Sequence, residues 1–196
     1  RWPWPYLVFE YVPGVSIGEV WAELCFEDRL ALARQLGELT RRLHALPLAG
    51  SPVFHPTWDA YTALLEAQRA ACRRNHEAWR SLPEPLLAQI EGYLLPTAAL
   101  VDRGAAPHLI HADLTRDHIL GRLEGGRWQT LALIDWGDAM VGNLLYELVA
   151  LHLDLFHCDK RLLRAYLDAY GLPEAARRRL PRQAMTVTLL HRFNVL

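Results

Sequence analysis

The chain has 196 residues, of which 52% are hydrophobic, and its 21 Lys and Arg nearly balance 22 Asp and Glu. That is enough apolar mass for one large core or two small ones, while a net charge of -1 gives no electrostatic drive toward nucleic acid or anionic lipid. No stretch approaches the roughly 18 uninterrupted apolar residues of a membrane span, and no signal peptide is visible, although the first residue is Arg1.

In chain order, residues 6–12 are apolar and rich in β-formers, and Pro13-Gly14 stops them, which predicts a strand entering a turn. Cys25, Cys72 and Cys158 are odd in number and too widely spaced for a zinc knuckle, so they read as reduced thiols of a cytoplasmic protein. Leu32, Leu36, Leu39, Leu43 and Leu46 recur at helical spacing, predicting a helix over 28–46 with Asp28 as its N-cap and Pro47 at its end. Residues 59–79 predict a second helix with an arginine-rich outer face. Residues 84–100 predict a third, bent or broken at Pro96. His44 reads as a structural residue at a helix end.

The texture then becomes extended. Residues 108–111 read as a short strand. Residues 119–123 and 128–134 read as two more, joined by the turn Glu124-Gly125-Gly126. Helices follow over 144–156, 160–170 and from 174 onward. The expectation is an α+β chain, mostly helical, with a small β-hairpin patch in its middle.

Chemistry concentrates on that patch. Asp113 follows a strand, His118 begins the next, and Asp135 ends the hairpin. Such a hairpin can bring all three side chains to one edge. One carboxylate can then accept a proton, while the other joins His118 in holding a divalent ion. A polar surface turn is the plain alternative.

His111-Ala-Asp-Leu-Thr-Arg-Asp-His118, followed by Ile134-Asp-Trp-Gly137, resembles the catalytic loop and metal-binding motif of the aminoglycoside phosphotransferases, small-molecule kinases with a protein-kinase-like fold. Leu7-Val-Phe-Glu-Tyr-Val-Pro-Gly14 is similar to the family's hinge strand, and Arg42-Leu-His-Ala-Leu-Pro47 to the end of its first large-lobe helix. Asp135-Trp-Gly-Asp-Ala-Met-Val-Gly142, with Leu145-Tyr-Glu-Leu148, is similar to its metal loop and the helix after it.

The resemblance implies roles. Asp113 would be the catalytic aspartate, braced by His111. Asp135 would hold Mg2+, with His118 where most of the superfamily has Asn, as in the aminoglycoside 2''- and macrolide phosphotransferases. Arg116, beside Thr115, would neutralise charge on the transferred phosphate. The backbone of Glu10, Tyr11 and Val12 would bond the base of ATP or GTP, and Leu120 and Ile134 would form the floor beneath it. Glu147 stands where the family usually has Asp.

The family's glycine-rich phosphate cover and small-lobe lysine have no match, since Lys160 is far downstream. The expected division is therefore a hinge strand and linker over 1–14, from an N-terminal lobe not in this sequence, and a large C-terminal lobe over 15–196, with the catalytic loop at 111–118 and the metal loop at 135–142. Such a fragment alone should be a poor catalyst. Partners would be the nucleotide and a small hydroxylated acceptor, with no nucleic acid and no membrane.

Among acceptors, antibiotics come first. For an aminoglycoside, Asp138, Asp154, Asp159, Asp59, Glu66 and Glu77 are the candidate acids. For a macrolide, Trp58, Tyr61 and Leu65 are the apolar ones. Two competing readings stand beside the kinase: a kinase-like binding module, motivated by His118 and Glu147, and a His/Asp metallohydrolase.

Overall fold

Periodic stretches form helices where their apolar spacing places them, and the computed structural model describes residues 8–196. Strand β1 (Val15–Ser16) leads into the single turn α1 (Ile17–Val20). Helix α2 is Phe26–His44 and α3 is Asp59–Trp79. Two further single turns follow, α4 (Glu84–Leu87) and α5 (Ile90–Tyr93). Then come β2 (His108–Ile110), β3 (Ile119–Glu124), β4 (Arg127–Leu133) and β5 (Met140–Gly142). Helix α6 (Leu144–Ala150) runs on into a π-helical turn at Leu151–Leu155, and α7 (Lys160–Tyr170) and α8 (Glu174–Leu190) complete the order.

The hairpin β3–β4 closes through Gly125 and Gly126 at φ +58° and +78°, the left-handed pair that a two-residue primed turn demands. Strand β1 pairs antiparallel with β3, Val15 facing Gly121 and Ser16 facing Leu120. Strands β2 and β5 form a separate antiparallel pair. Helices α2 and α7 pack against each other, and α8 packs on α3 and α6. Tyr61, Leu65, Ile110, Leu114, Ile119, Phe156 and Tyr166 are fully buried in the common core.

Four expectations need correction. The hinge strand does not form over 8–12, and residues 6 and 7 lie outside the described residues. β-forming composition becomes a strand only beside a partner backbone, and the first ladder starts at Val15. Asp28 is not the N-cap of α2: that place is Cys25's, and Asp28 is buried inside the first turn, its Oδ1 2.7 Å from the Arg127 Nε. The buried face of α2 is also rotated from the leucine row toward Ala33, Gly37, Thr40 and His44, while Leu46 lies outside the helix and is exposed. The expected helix over 84–100 is instead α4, α5 and a 3-10 turn at Thr97–Ala99. Leu94 is extended at ψ 126°, Gly92 weakens the preceding turn, and Pro96 drives Leu95 away from helix.

His44 sits at the end of α2 as a buried structural group. Its ring stacks on His108, with centroids 4.8 Å apart, and its Nδ1 lies 2.9 Å from the Tyr170 hydroxyl. Burial, aided by His108, pushes its pKa down to about 3. Cys25 and Cys158 are exposed free thiols, and the buried Cys72 donates to the Leu189 carbonyl. No described helix is long and apolar enough to cross a membrane.

Candidate active site

Strand β2 ends at Ile110, and the chain must turn sharply to present Asp113. Ala112 makes that turn at φ +68°, a left-handed conformation that costs a non-glycine residue about 1 kcal/mol or more. The surroundings hold it there. Glu147, on α6, takes the Ala112 N–H at 2.7 Å through Oε2 and the His111 N–H at 3.3 Å through Oε1. Glu147 is only 1% exposed, so burial pushes its carboxyl up to about 7, against the pull of these two donors. The residue in the place of the usual Asp thus grips the loop backbone directly.

His111 is fully buried. Its Nε2–H donates to the Ile134 carbonyl at 2.8 Å, and its Nδ1 accepts the Asp113 N–H at 3.4 Å. These partners assign the neutral tautomer, and burial lowers its pKa below the usual imidazole value. His111 therefore ties the loop around Asp113 to the end of the hairpin. Its ring also packs on Trp136, with centroids 4.6 Å apart.

The far end of the loop has its own carboxylate clamp. Asp154, in the π turn after α6, accepts the Arg116 N–H at 2.8 Å and pairs with the Arg116 Nε at 3.5 Å. Arg116 is thus engaged with Asp154, while its stem packs at Gly18.

Between the clamps, His118 closes the 3-10 turn Arg116–His118. Its Nδ1 lies 2.7 Å from the Asp113 carbonyl, which makes Nδ1 the protonated nitrogen and leaves a lone pair on Nε2. That Nε2 lies 3.6 Å from Asp135 Oδ2, and Nδ1 lies 3.6 Å from Asp113 Oδ2. One imidazole therefore stands between the two carboxylates. Asp135 is itself left-handed, at φ +60°, and exposed at the end of β4.

The gap between His118 and Asp135 is too long for a hydrogen bond and suits two ligands of one cation. Among the described residues no group of three or more His, Cys, Asp and Glu side chains gathers as a metal site. Two protein ligands with an oriented imidazole fit a magnesium ion that takes its remaining oxygens from phosphate and water. The fit to a catalytic transition-metal centre is poorer, because such centres use three protein ligands.

The structure brings together Asp113, His118, Asp135 and His111. Leu120 and Ile134 are half-buried at the same end of the hairpin. Glu10 and Tyr11 are exposed in a stretch without regular structure, and Val12 is half-buried. The last part of the expected metal loop, Met140–Gly142, is strand β5. Among candidate acceptor acids, Asp138 meets Arg192 at 2.5 Å, Asp159 meets Arg161 at 2.6 Å, and Glu77 meets Arg73 at 2.9 Å. Trp58 and Tyr61 are buried, the Tyr61 hydroxyl donating to Asn143 Oδ1 at 2.9 Å.

Sequence reasoning missed the grip of Glu147 and Asp154 on the loop, and it missed Arg192 altogether. A cavity of about 100 Å³ adjoins Asp113, with Asp138, Tyr146 and Arg192 in its wall.

Residues 2–181 match the family model described as "Phosphotransferase enzyme family". The chain is similar to the structure of the GDP and kanamycin complex of APH(2")-IIIa, at 23% identity and a TM-score of 0.66, over 92% of this chain and 59% of that one. It is similar to the GDP complex of wild-type aminoglycoside 2'-phosphotransferase-IIIa, at 24% identity and a TM-score of 0.61, over 86% and 55% of the two chains. It is also 25% identical, over 87% of its length, to 22% of the lysine-specific demethylase JMJ21 of Arabidopsis thaliana. The chain thus spans a little over half the length of those solved phosphotransferases.

Proposed function

The chain belongs to the phosphotransferase enzyme family, and from that premise we propose that its protein moves the γ-phosphoryl group of ATP or GTP onto a hydroxyl of a small molecule. The observation that carries this reading is the imidazole of His118, set 3.6 Å from the carboxylates of both Asp113 and Asp135. It stands between a proton-accepting side, Asp113, and a metal-holding side, Asp135.

In this reading Asp113 orients the acceptor hydroxyl and takes its proton. The hydroxyl oxygen bonds to the γ-phosphorus, the bond from that phosphorus to the β,γ-bridging oxygen breaks, and nucleoside diphosphate leaves. His118 and Asp135 would hold Mg2+, which when bound supplies positive charge to the phosphate oxygens. His111, Glu147 and Asp154 fix the loop, so that little reorganisation is left for the reaction itself.

Leu120 and Ile134 would lie under the base, and the backbone of Glu10 to Val12 would bond its edge. A further lobe, carrying the glycine-rich cover and lysine, would complete the site. Arg116 could neutralise the transferred phosphate only by leaving Asp154. The GDP seen with APH(2")-IIIa supports a nucleotide co-substrate, and its kanamycin supports a hydroxylated acceptor.

The test uses the whole protein that carries this chain, with magnesium and either nucleotide. Asp113→Asn is expected to lower turnover by about 10²- to 10⁴-fold, the usual range for loss of a general base, with nucleotide affinity held within about threefold. Acceptor phosphorylation is read by mass spectrometry and nucleotide affinity by titration. Wild-type turnover in the Asn variant, or no nucleotide binding by the parent, would sink the reading.

A further inference from the structure

The cavity against Asp113 is where an acceptor hydroxyl has to lie if the phosphotransferase reading holds, and the proposal below rests on that reading. Its size and charge describe the acceptor. At about 100 Å³ it has room for about three water-sized groups, so it admits only the reacting end of a compact acceptor. Met140, Tyr146 and Phe193 supply its apolar wall, and the Tyr146 hydroxyl already accepts a hydrogen bond from Gln68 Nε2 at 2.9 Å.

The charged groups of that wall are Asp113, Asp138 and Arg192. His191 also lines it, but burial pushes that imidazole down to about 4, so it is neutral near pH 7. Arg192 is fixed from two sides: Nη2 lies 2.5 Å from Asp138 Oδ1, and the guanidinium lies over the Phe193 ring at 4.7 Å. Its remaining N–H donors form a planar fork of the kind that matches a carboxylate.

An acceptor with several ammonium groups finds no free acid in the stretch that follows the metal motif. Asp138, Asp154 and Asp159 are each already paired with an arginine. An ammonium at Asp138 would lie against the like charge of Arg192, whereas a carboxylate at Arg192 would share that guanidinium with Asp138.

We propose that the acceptor is a compact hydroxy acid, its carboxylate held by Arg192 and its hydroxyl presented to Asp113. The hydroxyl oxygen takes the γ-phosphoryl group, its proton passes to Asp113, and nucleoside diphosphate departs. The carboxylate is unchanged by the reaction. Arg192 is thus a specificity residue that the catalytic motifs do not reveal.

The test again uses the whole protein. Nucleotide affinity is titrated first. Release of nucleoside diphosphate is then followed with kanamycin and with a set of hydroxy acids of three to six carbons, for the parent, Arg192→Gln and Arg192→Lys.

The expected result is turnover of a hydroxy acid in preference to kanamycin, a KM at least tenfold higher in Arg192→Gln, and partial recovery in Arg192→Lys. Nucleotide affinity in both variants should match the parent, which also shows that they fold. Preference for kanamycin, a hydroxy-acid KM untouched by Arg192→Gln, or intact nucleotide binding with no turnover of any hydroxy acid would each overturn the proposal. Absence of nucleotide binding by the parent would instead remove the phosphotransferase reading beneath it.

Discussion

Glu147 carries an unusual electrostatic load for one side chain. It is buried, it accepts two backbone N–H groups, and its carboxyl rises from 4.5 to about 7. A raised carboxyl pKa means that the folded chain binds a proton more tightly than the unfolded one. The contribution of this group is therefore full below pH 4.5 and is lost as pH rises through about 7, a difference of about 3 kcal/mol. Glu147→Gln abolishes that slope. The melting temperature of the parent relative to Glu147→Gln should accordingly fall between pH 5 and pH 8. A gap that widens with pH would mean that the two loop amides outweigh burial and hold the carboxylate ionised.

Among the elements, the contact of α2 with α7 is the closest fit. A Cβ on Gly37 would strike the Tyr166 carbonyl and lie 3.0 Å from both the Ala169 Cβ and the Tyr170 nitrogen. Gly37→Ala should therefore cost about 1–3 kcal/mol by overpacking, despite its better helix propensity. The exposed Gly92, where a Cβ meets nothing within 4 Å, supplies the contrast, because alanine there should be neutral or stabilising. Urea unfolding of both variants reads the difference, and a stabilised Gly37→Ala would refute the close fit.

The same scale shows what the sequence made legible. The bounds of α3 and α7, and the two-glycine turn, follow from local periodicity and turn chemistry. The break between α5 and the 3-10 turn was blurred because an apolar run of mixed spacing resembles a helix until Gly92 and Pro96 are weighed together. In the site, Asp113, His118 and Asp135 were legible because a motif keeps them close along the chain. The grip of Glu147 and Asp154 spans 35 to 38 residues, and no local pattern encodes a contact at that range.

At the scale of the whole molecule, the N-terminal side presents an apolar strip. Val8, Phe9 and Tyr11 are 86%, 80% and 83% exposed, just ahead of the β1–β3 ladder. Single exposed apolar residues are ordinary, but three within four positions form a patch that favours a covering surface. The 196-residue chain alone should bind an apolar dye such as ANS, and Phe9→Ser with Tyr11→Ser should reduce that fluorescence severalfold. Unchanged dye binding would place the exposed surface elsewhere.

Helix α6 and its π turn hold both ends of the catalytic loop, Glu147 at Ala112 and Asp154 at Arg116. Loop and helix consequently share one opening event. The amides of Ala112 and Arg116 sit in a loop that would ordinarily exchange fast with solvent, yet each is capped by a carboxylate from the same helical segment. Their hydrogen exchange should be slow and should accelerate together whenever that segment frays, so that two loop amides serve as a native reporter of helix integrity.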